Sequence, residues 1–110
     1  MPFYMYQGTY SRESISALVE NPQNRTAAVS SVVEANGGKL IGCWMAFGEY
    51  DLVAIADMPD DEAMAGVSLA VSAVGTASSS KTTKLLTMDQ AVEAMTNAQG
   101  VVKSYSPPSK

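Results

Sequence analysis

The first third of the chain carries a strand pattern followed by a helix pattern. Residues 3–9 are rich in aromatic side chains and favour an extended strand that ends near Gly8. From Ser11 onward, apolar residues recur at spacings of three and four, which places them on one face of a helix. The segment 36–38, Asn-Gly-Gly, ends this pattern, because glycine readily adopts the left-handed conformation that closes a helix. A strand and then helical structure are therefore predicted before residue 39.

Pro22 interrupts the helical pattern near its middle. Proline lacks an amide hydrogen and clashes with the carbonyl group four residues earlier, so it does not continue an ordinary helix. It either kinks one long helix or occupies the first position of a second helix that Asn21 caps. The sequence leaves both arrangements open.

Residues 39–57 have the pattern of two strands joined by a tight turn. Gly48 and Glu49 form a two-residue loop with glycine first, which is typical of a type II′ hairpin. The register then predicts four cross-strand pairs: Phe47 with Tyr50, Met45 with Leu52, Cys43 with Ala54, and Ile41 with Ala56. The opposite face of the hairpin carries Leu40, Trp44, Ala46, Val53 and Ile55. Since both faces are apolar, the hairpin should be covered on both sides.

Residues 59–75 have the pattern of a capped helix. Pro59 suits the first turn, and the acidic residues at positions 60–62 favour the positive end of the helix dipole. Gly75 ends the helix after Val74. A second helix of about four turns is therefore predicted to follow the hairpin.

A polar strand and a last helix complete the pattern. Residues 78–86 favour a strand, and Lys81 and Lys84 within it are typical of a sheet edge. Thr87 and Gln90 form a capping box that opens the last helix. The face of this helix predicted to point inward carries Met88, Ala91, Val92 and Met95.

The order of elements predicts an α+β fold in one domain. A β-α-β-β-α-β order with a C-terminal helix is that of a ferredoxin-like domain, in which two helices cover one face of a four-stranded antiparallel sheet. Residues 1–100 form this domain, and residues 101–110 are expected to be an extended or disordered tail. The second sheet face is apolar and needs a partner, and a second copy of the chain is the simplest one.

Several short motifs resemble those of the GYD family. The hairpin segment 48–51, Gly-Glu-Tyr-Asp, is similar to the family's Gly, Tyr, Asp signature, and the resemblance covers roughly residues 3–98. Supporting motifs are Asn21-Pro22 with Arg25, Asn36-Gly37-Gly38-Lys39, Pro59-Asp60-Asp61 and the helix that opens at Thr87. The resemblance implies a dimeric α+β barrel, in which two ferredoxin-like sheets face each other. It implies no particular activity, because one fold carries many functions.

Composition excludes several classes of function. The chain has 11 acidic residues, 7 basic residues and no histidine, with a net charge of −4. An acidic chain offers no electrostatic surface for nucleic acid, which argues against such a partner. Without histidine, the Ser/His and Cys/His nucleophile pairs and histidine-ligated zinc sites are excluded. Any proton transfer would fall to a carboxylate or a phenol with a shifted pKa.

The expected setting is the cytoplasm. The single Cys43 excludes an intramolecular disulfide, which fits a reducing compartment. The N-terminus lacks the pattern of a signal peptide, and no apolar run is long enough for a membrane span. No metal site is predicted, because the acidic residues at 57 and 60–62 lack the spacing of a calcium loop and are explained by the helix start. No cofactor is predicted.

Five residues are candidates for lining a ligand pocket: Arg25, Trp44, Tyr6, Tyr50 and Asp51. Arg25 shares a helical stripe with apolar residues, so it either covers apolar surface with its stem or binds a carboxylate bidentately. Tyr50 and Asp51 either stabilise the hairpin turn or line the mouth of a pocket. The aromatic rings of Tyr6 and Trp44 either pack in the core and the dimer face or orient a flat ligand.

Three functional hypotheses follow. In the first, a homo-oligomeric α+β barrel binds a small, largely apolar or aromatic molecule between sheet and helices. In the second, the protein is an enzyme resembling the cofactor-free monooxygenases or isomerases of the same fold, with Tyr50, Asp51 or Arg25 handling substrate and protons. In the third, it is a structural or interaction module that assembles through residues 40–47. Composition and spacing favour the first over the second, and they leave open whether the protein is an enzyme.

Overall fold

The computed structural model describes residues 1–109 and has four strands and four helices in those residues. In chain order the elements are β1 (Phe3–Tyr10), α1 (Arg12–Glu20), α2 (Thr26–Ala35), β2 (Lys39–Met45), β3 (Leu52–Asp57), α3 (Asp61–Ala73), β4 (Ala77–Leu85) and α4 (Met88–Val101). The strands form one antiparallel sheet in the order β2-β3-β1-β4. This topology confirms the predicted ferredoxin-like α+β fold, with the lysine-bearing strand β4 at an edge.

The starts of α1 and α4 lie where their capping residues predict, whereas Pro59 precedes the capping residue of α3 and does not lie in the first turn as predicted. The side chain of Ser11 accepts from the backbone N–H of Ser14 at the start of α1, and Asp60 caps α3 in the same way. Thr87 and Gln90 form the predicted capping box of α4 with reciprocal bonds of 3.1 and 2.8 Å. Each cap satisfies backbone donors that the first helical turn leaves without a partner.

The helical stretch around Pro22 is two helices, and the predicted start of the second one is wrong. Asn21 follows α1 as its C-cap, and its N–H donates to the carbonyl oxygen of Ala17. Pro22 lies in the linker, and α2 begins at Thr26, four residues later than predicted. The reason is a local turn in which the Asn24 side chain accepts from the Thr26 N–H, which satisfies a donor of the new helix from within the linker.

The hairpin between β2 and β3 has a longer loop than predicted. The pairs Met45–Leu52 and Cys43–Ala54 are confirmed, but a bulge between Leu40 and Gly42 replaces the predicted pairing of Ile41 with Ala56. The predicted pairing of Phe47 with Tyr50 is also wrong. The ladder ends where Ala46 donates to Asp51, so Phe47, Gly48, Glu49 and Tyr50 form the loop. Asp51 in turn donates to the Gly8 carbonyl of β1, which ties the end of the loop to the neighbouring strand.

The core lies between one face of the sheet and helices α2 and α3. Its fully or nearly fully buried side chains come from β1, β3, the connection after β3 and these two helices: Tyr4, Tyr6, Val33, Ala54, Ala56, Met58, Met64 and Val67. We call this side of the sheet the covered face. Tyr4 pairs with Ala56 and Tyr6 with Ala54, so the two large aromatic side chains lie beside two small ones. Helix α1 contributes no buried residue.

The other side of the sheet, which we call the open face, has no helix packed on it within residues 1–109. It carries apolar side chains that alternate with the core residues, including Phe3, Met5, Trp44, Val53 and Ile55. Trp44 is 56% exposed, and its ring lies over Gly42, where a Cβ atom would clash with it. The open face is therefore apolar and largely unpartnered in a single chain.

Helix α4 leaves the domain, and the prediction that its apolar face points inward is wrong. Met88, Val92 and Met95 are all at least 60% exposed, and α4 makes few contacts with other elements. The radius of gyration is 17.8 Å, against about 13 Å for a compact chain of this length. The inward prediction assumed that one chain supplies the surface that α4 needs. None of the helices in residues 1–109 combines the length and the hydropathy that crossing a membrane requires.

Candidate functional site

A cavity of about 300 Å³ lies between the covered face and helices α2 and α3. Sixteen residues line it, most of them aliphatic: Tyr6, Tyr10, Arg25, Ala28, Val29, Val32, Val33, Leu52, Ala54, Ala56, Met64, Val67, Ala70, Val71, Val74 and Thr76. Its volume is at the lower end of the range for ligand pockets. The space exists because small residues on the sheet and on both helices leave the layer between them incompletely filled.

The cavity is closed at one end and open at the other. Val33, Met64 and Val67 are almost completely buried and close the inner end. Arg25 and Val74 are exposed and lie at the outer end. A ligand entering from solvent would therefore pass the polar side chains first and place its inner part among aliphatic groups.

The Tyr6 hydroxyl is buried without a hydrogen-bond partner in residues 1–109. The Tyr6 side chain is only 5% exposed, and its ring lies over Gly8, where a Cβ atom would come within 2.8 Å of the ring. Burial raises the pKa of Tyr6, and the nearby Ser80 hydroxyl offsets part of that rise without reaching hydrogen-bond geometry. Tyr6 is therefore a protonated donor at neutral pH, and a buried donor without a partner is energetically costly.

Tyr10 and Arg25 form the polar mouth of the cavity. Burial raises the pKa of Tyr10, and the positive charge of Arg25 opposes that rise, so the field of the guanidinium reaches the Tyr10 hydroxyl. Arg25 donates one hydrogen bond, from Nη1 to Gln23 Oε1 at 3.0 Å. It precedes the first residue of α2, where the linker after Pro22 ends. Its position thus comes from the linker and not from the helical stripe that the sequence predicted.

The five predicted pocket residues do not all lie together. Tyr6 and Arg25 line the cavity. Trp44 and Asp51 line a second pocket next to it, which Arg25 and residues of α1 also line. Tyr50 lines neither of the two. Trp44 packs over Gly42 on the open face, because strand alternation directs it away from the neighbouring Cys43. Tyr50 is a half-buried residue of the hairpin loop. Asp51 accepts from the Tyr10 N–H at 3.0 Å and so joins the hairpin to β1 next to the mouth.

Sequence reasoning missed Tyr10 as a pocket residue, although a signal for it was present. Tyr4, Tyr6, Gly8 and Tyr10 recur at every second position, which is the period of one strand face. Once Tyr6 is assigned to the covered face, Tyr10 follows on the same face. The sequence predicts a strand that ends near Gly8, so Tyr10 falls outside the predicted strand and is not assigned to either of its faces.

A second polar cluster lies outside the cavity, where α3 begins. Asp61 accepts hydrogen bonds from the Tyr4 hydroxyl and from Lys84 Nζ, the latter at 3.0 Å. The hydrogen bond from Tyr4 and the positive charge of Lys84 lower the pKa of Asp61, and the hydrogen bond to Asp61 raises that of Tyr4 to about 12. All of these groups have partners, so we interpret the cluster as a connection between α3, β1 and β4.

The side chains that line the cavity are better suited to binding a ligand than to transferring a proton. Its polar side chains are two phenols, one guanidinium and the Thr76 hydroxyl, and no carboxylate or thiol lines it. In residues 1–109 no group of three histidine, cysteine, aspartate or glutamate side chains is close enough to hold a metal ion. The arrangement can enclose an apolar group and present hydrogen-bond donors and one positive charge at its opening.

Comparison with known proteins identifies the family. No curated protein matches the chain. Among solved structures, the one described as the crystal structure of FFRP-DM1 is similar at 12% identity with a TM-score of 0.48, over 78% of this chain and 100% of that one, and a likeness at this level says nothing about function. The family model of the GYD domain matches residues 4–95. That range includes β1, the hairpin and the cavity-lining helices, so the chain belongs to the GYD domain family.

Proposed function

We propose that the protein binds a small, largely apolar molecule in the cavity between the covered face and helices α2 and α3. The observation that carries the proposal is the cavity itself, a space of about 300 Å³ that is lined mainly by aliphatic groups and has Arg25 at its mouth. A bound molecule with an apolar body would fill this space. Filling it favours the bound state, because a void among packed side chains is costly.

The alternative of a cofactor-free enzyme has less support. Its proposed proton-handling residues were Tyr50, Asp51 and Arg25, and of these only Arg25 reaches the cavity. The carboxylate of Asp51 is engaged with the Tyr10 backbone. A general base must lie within hydrogen-bonding reach of the proton it removes. The titratable groups of the lining besides Arg25 are the phenols of Tyr6 and Tyr10, and their raised pKa keeps both protonated.

We further propose that the protein is a homo-oligomer whose copies join through the open face and α4. Apolar side chains on the open face continue into a groove at the start of α4, lined in part by Phe3, Leu86 and Met88. Monomeric proteins rarely expose a contiguous apolar surface of this kind. A second copy is the occupant that would also account for a helix that makes few contacts within its own chain. We also propose a cytoplasmic location, because Cys43 is a free thiol and thiols stay reduced in the cytoplasm.

The binding proposal is tested with indole as a neutral, flat, apolar probe. Chemical-shift changes in a two-dimensional amide NMR spectrum should concentrate on cavity residues such as Ala54, Val67 and Val71. Ala28→Leu fills the cavity from α2 and should weaken binding at least tenfold. Ala27→Leu adds the same atoms one position away, outside the cavity, and should leave binding unchanged. Shifts confined to the open face and α4, or equal affinity in both variants, would overturn the proposal.

A further inference from the structure

The charges around the cavity distinguish one class of ligand from others. Arg25 is the one charged side chain that lines it. Within residues 1–109 no carboxylate lies within ion-pair distance of Arg25, and the ion pair found there joins Lys84 to Asp61. Since acidic residues outnumber basic ones in this chain, an arginine without an ion-pair partner is unexpected. The hydrogen bond to Gln23 uses one N–H group of the guanidinium, so its other N–H groups are available to a ligand.

From this arrangement we propose that the ligand is a small monocarboxylic acid with an apolar or aromatic body. The body lies among the aliphatic residues, and the carboxylate contacts Arg25 at the mouth. This inference rests on the proposed function and adds the ligand's charge. A guanidinium forms two parallel hydrogen bonds with a carboxylate, and this geometry selects planar anions.

A single negative charge fits better than two. One guanidinium lies at the mouth. Asp51 lies beside it, and the Asp51 carboxylate accepts a hydrogen bond from the Tyr10 N–H. A dianion such as a phosphate monoester would be only half neutralised by Arg25 and would lie near that carboxylate. The volume of about 300 Å³ sets the size to one ring or a short chain. The Tyr10 hydroxyl lies within the field of Arg25 and is a second donor at the same place.

The test compares two probes of nearly equal shape, 4-hydroxybenzoate and the neutral 4-hydroxybenzamide. Their affinities are measured by isothermal titration calorimetry at pH 7 and low salt. The wild-type protein should bind the acid ten- to a hundredfold more tightly than the amide. Arg25→Gln should bring the affinity for the acid down to that for the amide, and the amide binding that remains shows that the cavity is intact. Arg12→Gln removes one positive charge from α1, outside the cavity, and should keep the preference.

The possible outcomes distinguish the inference about the ligand's charge from the proposed binding function. Equal affinity of wild-type protein for both probes, or an acid preference that survives in Arg25→Gln, overturns the inference and leaves the proposed binding function standing. Absence of binding for both probes and for indole overturns the proposed function itself. An acid preference lost equally in Arg25→Gln and Arg12→Gln would show a general charge effect and would also overturn the inference.

Discussion

The two faces of the sheet are both apolar, but only one of them is packed by its own chain. On the covered face, strand residues meet α2 and α3, and the side chains there are almost fully buried. On the open face, Trp44 is more than half exposed, and α4 extends away with its methionines in solvent. The covered face has an internal cavity, and the open face has a surplus of apolar surface. This difference is the basis of our two proposals, ligand binding on the covered face and self-association on the open face.

The largest expected effect comes from the same substitution made on the two sides. Met58 is completely buried in the core, so Met58→Ala should destabilise the protein by about 2–5 kcal/mol. Met95 on α4 is 64% exposed, and Met95→Ala should change the stability of the domain fold much less. Chemical denaturation at one fixed protein concentration measures both. Similar losses in the two variants would contradict this difference between the two faces.

A charge on the open face should change the oligomeric state more than the fold. Trp44→Asp places a carboxylate in the proposed interface, where burial of an unpaired charge is costly. We expect light scattering at micromolar concentration to show a monomer for this variant and a larger species for the wild type. Leu69→Asp is the matched control, because Leu69 is equally apolar and exposed but lies on α3. A wild-type protein that is already monomeric would exclude the proposed interface.

The two buried tyrosines of the covered face should respond in opposite ways to loss of their hydroxyl groups. Tyr6→Phe removes a donor without a partner and should leave the ligand-free protein as stable as before or more stable by up to about 1 kcal/mol. Tyr4→Phe breaks the hydrogen bond to Asp61 and should lower the Tm. Thermal unfolding without ligand measures both effects. A Tm that falls more in Tyr6→Phe than in Tyr4→Phe would show that the Tyr6 hydroxyl has a partner in the ligand-free protein.

The smallest expected effect is a pH dependence of the Tyr4–Asp61 connection. Folding raises the pKa of Tyr4 from 10.0 to about 12, so this contribution to stability is complete below pH 10 and is lost as the pH rises toward 12. Folding lowers the pKa of Asp61 below 3.8, so its contribution is complete above that value and is lost as the pH falls below it.

A plot of stability against pH should therefore fall at both ends, in an alkaline limb above pH 10 and an acid limb below pH 4. Two variants identify the groups that produce these limbs. Tyr4→Phe should flatten the alkaline limb between pH 10 and 12, and Asp61→Asn should also flatten the acid limb below pH 4. Glu93→Gln, an exposed acid on α4, serves as the control that changes charge alone. An alkaline limb that Tyr4→Phe leaves unchanged would show that another group produces it.

The sequence predicted the fold well because its determinants are local. The caps at Ser11, Asp60 and Thr87 and the glycines at 37 and 75 define most helix ends without reference to distant residues. The alternation within the hairpin was enough to predict that both sheet faces are apolar. The bulge after Leu40 was not predictable, because it depends on how β2 pairs across the sheet.

The site was less predictable, because a cavity depends on contacts between elements that are far apart in the chain. Tyr6 and Arg25 were selected for their chemistry, and their common position depends on how α2 packs on β1 and β3. Trp44 was assigned to the pocket because of its ring, although strand alternation places it on the open face. The position of α4 was unpredictable for a similar reason, since a helical pattern shows which face is apolar and not which chain covers it.

Native mass spectrometry of the freshly purified protein tests both proposals at once. Our account predicts a dimer or larger homo-oligomer in which each chain carries a small organic acid that is released on denaturation. The released molecule should be displaced by added 4-hydroxybenzoate and be absent from Ala28→Leu. A bare monomer at micromolar concentration would contradict the account, because neither the open face nor the cavity would then have the occupant that we propose for it.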